Sequence, residues 1–129
     1  MSPDRSAGKI LVIEDEDLIQ ILMVNHLEEL GFESEVAGSA AEAKSKLALL
    51  GGAVDAVIAD VGLPDARGEI LVNELRELYP DLPVIISSGY DKGTLQSRFA
   101  GTNGIEFLSK PFTHEQLASA LERAGVLQC

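Results

Sequence analysis

An α/β domain with a parallel sheet covered by helices on both faces is what this chain predicts, and three observations carry the prediction. Apolar runs recur at residues 10–13, 56–59, 84–86 and 105–108, the near-continuous pattern of strands buried on both faces. Helical repeats alternate with these runs, which is the rhythm of successive β/α units. Each run closes on polar residues: Glu14 and Asp15, then Asp60, then Ser87 and Ser88, then Ser109 and Lys110.

The first strand leads into a helix beginning near Asp17, which is expected to cap it. Ile19, Met23, Leu27 and Leu30 recur there at helical spacing until Gly31 halts the turn. The second strand, residues 32–37, carries Glu33, Ser34 and Glu35, a polarity that suits an edge with one wetter face. The second helix follows Ser39 as its cap and puts Ala43, Leu47 and Leu50 on one side. The third, residues 68–79, aligns Leu71, Leu75 and Leu78 and stops before Pro80. After the fourth strand, residues 91–104 space Leu95 and Phe99 for a helix, but Gly93, Gly101 and Gly104 make it the least stable of the five. The fifth helix opens after Thr113, with Glu115 at its positive end and Gln116 as capping-box partner. Its inward residues are Leu117, Leu121 and Ala124.

Five such pairs with the second strand at an edge fit the flavodoxin-like (βα)5 order 2-1-3-4-5, whose first and third strands flank the topological switch point. Glu14, Asp15 and Asp60 would meet there, at the carboxyl ends where such sheets bind ligands, with Ser88 and Lys110 on the same rim. Carboxylates about 4 Å apart repel by roughly 4 kcal/mol per pair at an effective dielectric near 20, so the rim calls for a cation. Mg²⁺ takes one or two carboxylates together with waters and phosphate oxygens. Lys110 and Ser88 suit the phosphate. Alternation along a strand points Ser87 and Ser88 oppositely, and Ser88, beside Gly89, is assigned to the site.

The 129 residues fit one domain, read as a leader over 1–8, a folded unit over 9–125 and a tail over 126–129, with no output domain expected. A formal charge of −11 disfavours nucleic acid and anionic membranes as partners of the surface as a whole. The chain lacks an apolar stretch of bilayer-spanning length and the apolar core of a signal peptide, so a cytoplasmic location is expected. The single cysteine, Cys129, rules out an internal disulfide, a cysteine zinc cluster or a redox pair and reads as a terminal thiol. His26, His114, Glu28, Glu29 and Glu42 read as solvated helix surface.

In order and spacing, the acidic pair after strand one, Asp60 within Ala-Asp-Val-Gly-Leu-Pro, Ser88-Gly89, and Lys110-Pro111-Phe112 resemble the receiver domain of two-component response regulators, as in bacterial signalling. The similarity runs from residue 9 to residue 124. It implies that Asp60 is a phosphoacceptor, taking its phosphoryl group from a phosphohistidine on a histidine kinase or phosphotransfer protein. It further implies Mg²⁺, with Mn²⁺ as a substitute, held directly by Asp15, Asp60 and the backbone carbonyl of Gly62 and through water by Glu14. Lys110 would pair with one phosphoryl oxygen and Ser88 with another. Ser88 would move toward the phosphate while Phe107, otherwise core packing, rotates into the vacated space.

The same resemblance makes the fourth helix, fifth strand and fifth helix the switching face toward a downstream protein target, in a monomer or weak dimer. Such a module is no enzyme beyond catalysing its own phosphorylation and dephosphorylation. It occurs as a free-standing regulator or as the receiver of a hybrid sensor kinase. A cis Lys110-Pro111 bond is also implied. Three positions depart from the commonest pattern: Glu14 replaces an aspartate, Ser88 stands where threonine is frequent, and Gly62 has no side chain. Gly62 and Tyr90, a rim residue, would flank the phosphate and set its access to water.

Two rival functions fit parts of the pattern. Asp15-Glu16-Asp17 after an apolar strand imitates the nucleophile motif of haloacid-dehalogenase-like phosphohydrolases, with Asp15 attacking, although nothing acidic follows Lys110 before the fifth helix. A receiver-like adaptor that is never phosphorylated is the other.

Overall fold

The computed structural model describes residues 8–51, 53–62, 65, 67–89, 93, 97, 99, 105–110 and 112–126. The elements follow in the order β1 (Gly8–Ile13), α1 (Asp17–Glu29), β2 (Phe32–Ala37), α2 (Ala40–Leu49), β3 (Ala56–Asp60), α3 (Gly68–Leu78), β4 (Val84–Ser88), β5 (Ile105–Ser109) and α4 (His114–Arg123). The strands form one parallel sheet in the order β2-β1-β3-β4-β5, which is the flavodoxin-like arrangement. Our label α4 falls on the fifth helix of the sequence pattern. The expected helix over 91–104 lies outside the described residues except for Gly93, Ser97 and Phe99.

Alternation along the strands divides the core into two layers. Leu11, Ile13, Val57, Ala59, Val84 and Ile86 face Ala43 and Leu47 of α2 and Leu71, Val72 and Leu75 of α3, with Phe99 buried on the same side. Ile10, Val12, Ala56, Ile58 and Ile85 face Met23 and Leu27 of α1 and Leu117, Ala120 and Leu121 of α4. Each buried Leu or Ile contributes about 1.5–3 kcal/mol, so the two layers together hold the sheet against the large entropy cost of ordering it. β2 is the wet edge, with Glu33 exposed and Lys9 on the neighbouring strand 3.9 Å from both Glu33 and Glu35.

Helix ends follow the local sequence at most positions. Ser39 Oγ accepts from the Glu42 N–H at the start of α2, and Thr113 and Gln116 form a full capping box at the start of α4. Gly31 and Gly51 stop the preceding helices at φ of 91° and 65°, where a Cβ is costly. Two expectations are corrected. Asp17 is the first helical residue of α1; Glu16 holds the cap position and makes no side-chain cap bond. Leu78 is 63% exposed, because an i+4 step from Leu75 reaches Tyr79, which packs against the core in its place.

Candidate functional site: an acidic pocket at the carboxyl rim

β1 and β3 are adjacent and end at the same level, which delivers three carboxylates to one place. Glu14, Asp15 and Asp60 offer oxygen atoms that all lie within 4.8 Å of one another. Glu14 and Asp60 are buried, while Asp15 is exposed. The Glu14 N–H donates to the Ala37 carbonyl at 2.9 Å, and the Gln20 side-chain amide donates to the Glu14 carbonyl, so the backbone after β1 is fixed from two sides.

Lys110 arrives from the end of β5. Its Nζ donates to Glu14 Oε1 at 2.9 Å and lies 3.4 Å from Asp60 Oδ1, while its own N–H donates to the Ser88 carbonyl at 2.7 Å. Burial pushes the Glu14 carboxyl above its ordinary value, and the Asp60 charge adds to that against the opposing Lys110 and Glu16 hydrogen bonds. Burial alone would lower the Lys110 ammonium; the Glu14 hydrogen bond and the charges of Asp60 and Glu14 outweigh it and hold the group above its ordinary value. The ammonium is thus firmly charged and already engaged.

The turn after Asp60 is tight. The Gly68 N–H donates to the Val61 carbonyl at 3.2 Å, and a Cβ at position 68 would stand 2.8 Å from the Val61 Cα, so only glycine lets α3 start this close to the loop. A Cβ at Gly62 would come 3.9 Å from Asp60 Oδ2, so position 62 borders the carboxylate. Mg²⁺ holds oxygens about 2.0–2.1 Å away, which spaces trans ligands about 4.2 Å apart. Oxygens within 4.8 Å fit such an ion once a side chain shifts slightly or a water intervenes.

Ser87 and Ser88 are both buried, so burial does not separate them. Register sets Ser87 beside Asp60 and Ser88 beside Ser109, one step nearer the rim. Alternation puts Ser88 on the side of Ile86 and Phe107. Ser87 Oγ has no hydrogen-bond partner among the described residues. Phe107 is half-buried, its ring 6.0 Å from that of Phe99 at 59°. Tyr90, Pro111 and Cys129 lie outside the described residues.

Sequence reasoning missed two arrangements. Asp65 reaches back to α2, accepting the N–H groups of Ala40 at 2.8 Å and Ala41 at 3.0 Å; these bonds draw its carboxyl below the ordinary range. His26 and His114, read as solvated surface, instead face each other with ring nitrogens 3.2 Å apart. Separations of 25 and 88 residues left no local signal for either.

Comparison with known proteins places the pocket in context. The family described as response regulator receiver domain matches residues 10–122. The sensor kinase CckA of Brucella abortus (strain 2308) is 35% identical over 116 residues, covering 90% of this chain and 12% of the kinase. The DNA-binding transcriptional regulator NtrC of Azospirillum brasilense is 33% identical over 119 residues, covering 92% of this chain and 24% of the regulator. The chain therefore spans a minor part of these relatives. A receiver domain protein from Clostridium thermocellum superposes with a TM-score of 0.81 at 31% identity, over 91% of this chain and 93% of that one. The receiver domain of the hybrid histidine kinase CckA does so at 0.76 and 29%, over 91% and 98%. Sequence match, strand order and relatives agree, and this chain belongs to the response regulator receiver domain family.

Proposed function

We propose that this domain is a phosphorylation-dependent signalling switch with Asp60 as its phosphoacceptor. The observation that carries the reading is the placement of Asp60, a buried carboxylate bordered by Gly62, with Glu14 and Asp15 beside it and the Lys110 ammonium at 3.4 Å. An Asp60 oxygen attacks the phosphorus of a phosphohistidine on a kinase or phosphotransfer protein. The P–N bond breaks, an acyl phosphate forms, and the imidazole leaves with a proton from solvent. Such transfer depends on positioning and charge stabilisation, not on a strong general base.

Asp15, Asp60 and the Gly62 carbonyl would hold Mg²⁺ directly, with Glu14 through water. When bound, the ion neutralises charge on the phosphoryl oxygens. Lys110 pairs with one of those oxygens, moving off Glu14, a task suited to a compact ammonium on a flexible stem. Ser88 donates to another, and Phe107, packed on Phe99, follows the hydroxyl inward. Among the described residues the face that reads this change comprises β5 and α4; a groove of about 370 Å³ between them, bordered by Phe107, Glu115 and Ser119, supports a protein target there. On α1, Leu18, Ile21 and Leu22 are 69%, 57% and 48% exposed just beyond the acidic pair, an apolar surface that suits docking of the phosphodonor. Among the described residues no helix is long and apolar enough to cross a membrane.

The test is exposure of wild type, Asp60→Asn and Asp15→Asn to acetyl phosphate with Mg²⁺, followed by intact mass. Wild type gains one phosphoryl group and Asp60→Asn does not. A phosphohydrolase built on the exposed Asp15 requires the opposite, with Asp60→Asn still labelled. An unphosphorylated adaptor requires that nothing be labelled.

A further inference from the structure

A second group of chemistry-bearing side chains comes together outside the acidic pocket. His26 lies in the last turn of α1 and His114 is the first residue of α4, and their Nδ1 atoms are 3.2 Å apart. Glu29, one turn after His26, places Oε1 at 3.3 Å from His114 Nδ1 and 4.0 Å from His26 Nδ1. One proton between the two nitrogens satisfies that pair; two N–H groups, or two lone pairs, would oppose each other. Three donors turned toward one point are also what a small cation needs.

The distances select the kind of cation. A tetrahedral ion with metal–nitrogen bonds of about 2.0–2.1 Å spaces its ligand atoms about 3.3 Å apart. Edges of 3.2 and 3.3 Å match that spacing, and the edge of 4.0 Å closes by a small swing of Glu29, whose side chain is 68% exposed. Two imidazoles with one carboxylate suit a borderline ion of the zinc class; Mg²⁺ prefers oxygen. The rings are already oriented, that of His26 lying 6.0 Å from the Phe112 ring at 57°, and the two histidine side chains are 25% and 34% exposed and so within an ion's reach. The carboxyl end of α1 attracts a cation and the amino end of α4 repels it, so the helix dipoles roughly cancel, while a formal charge of −11 favours cations in general.

We propose that His26, Glu29 and His114 form a site for a zinc-class divalent ion that clamps the end of α1 to the start of α4. The site is independent of the phosphotransfer reading and shares no ligand with the acidic pocket.

The test is a Zn²⁺ titration of the untagged chain carrying Cys129→Ser, which removes the terminal thiol, in excess Mg²⁺ to occupy the oxygen-rich pocket. The chain has only two histidines, so imidazole NMR signals report on this pair alone. Both rings shift together with one-to-one saturation and with the metal on Nδ1, and His26→Asn or His114→Asn each weakens binding by at least about tenfold, or 1.4 kcal/mol. Absence of binding, a shift confined to one ring, or unchanged affinity in both single variants overturns the proposal. The wild-type ring signals decide the matter even if a variant folds poorly.

Discussion

Replacing Asp60 by Asn should make the metal-free domain more stable, although it removes a buried residue's ion pair. At an effective dielectric of about 20, like charges at the 4.8 Å limit of the carboxylate cluster repel by about 3.5 kcal/mol per pair, and Asp60 has two such neighbours. Its attraction to Lys110 Nζ at 3.4 Å returns about 5 kcal/mol on the same scale. The balance leaves about 2 kcal/mol of net repulsion, and solvent around the exposed Asp15 trims it to about 1 kcal/mol. Lys110 keeps its closer partner, Glu14 at 2.9 Å, so no ammonium is orphaned. Urea unfolding in EDTA then gives a midpoint higher for Asp60→Asn by about 0.3–1 M, using a slope of about 1–3 kcal/mol/M. Excess Mg²⁺ should raise the wild-type midpoint and that of the variant much less, because the proposed metal site would lose one carboxylate. If the variant is less stable than wild type in EDTA, or gains as much from Mg²⁺, the charge argument for this pocket is wrong.

Four further substitutions have expected outcomes. Gly68→Ala, which helix propensity alone would favour, should destabilise by about 1–3 kcal/mol in urea unfolding, since the new Cβ meets Val61 backbone at 2.8 Å; it should also slow labelling by acetyl phosphate, Val61 being next to Asp60. Ser87→Ala removes a buried hydroxyl without a described partner and should be neutral or stabilising by about 1 kcal/mol, whereas Ser88→Ala should still accept phosphate but lose the accompanying change in Phe107 side-chain NMR signals. Asp65 has its carboxyl lowered by the Ala40 and Ala41 N–H bonds, so its stabilisation is present above the ordinary Asp range and is lost as pH falls through the depressed folded value; unfolding of Asp65→Ala should show a deficit at neutral pH that closes in acid.

The fold was legible because its strongest signals are local or periodic. Ile10 to Ile13 and Val84 to Ile86 are apolar on every residue, as burial on both faces demands, and Ser39 and Thr113 cap helices through bonds to residues three positions away. Asp15, Asp60 and Lys110 could be placed on one rim once each was assigned to a strand end. Contacts made at a distance were not legible. Asp65 caps a helix that precedes it, His26 meets a residue from the other end of the chain, and Lys110 is held by Glu14 more closely than by Asp60. Side-chain reach decided these, and periodicity carries no information about reach. The Asp17 and Leu78 corrections are one-residue phase errors, which hydrophobic spacing cannot resolve at helix ends.

The Glu14 carboxylate serves two masters, for its second oxygen accepts the Glu16 N–H at 3.2 Å at the threshold of α1. A lysine drawn away toward a newly arrived anion would leave that oxygen pair leaning on the helix entrance alone. Glu14 therefore ties the ammonium at the centre of the sheet to the entrance of the first helix, on the side of the domain away from the aromatic pair.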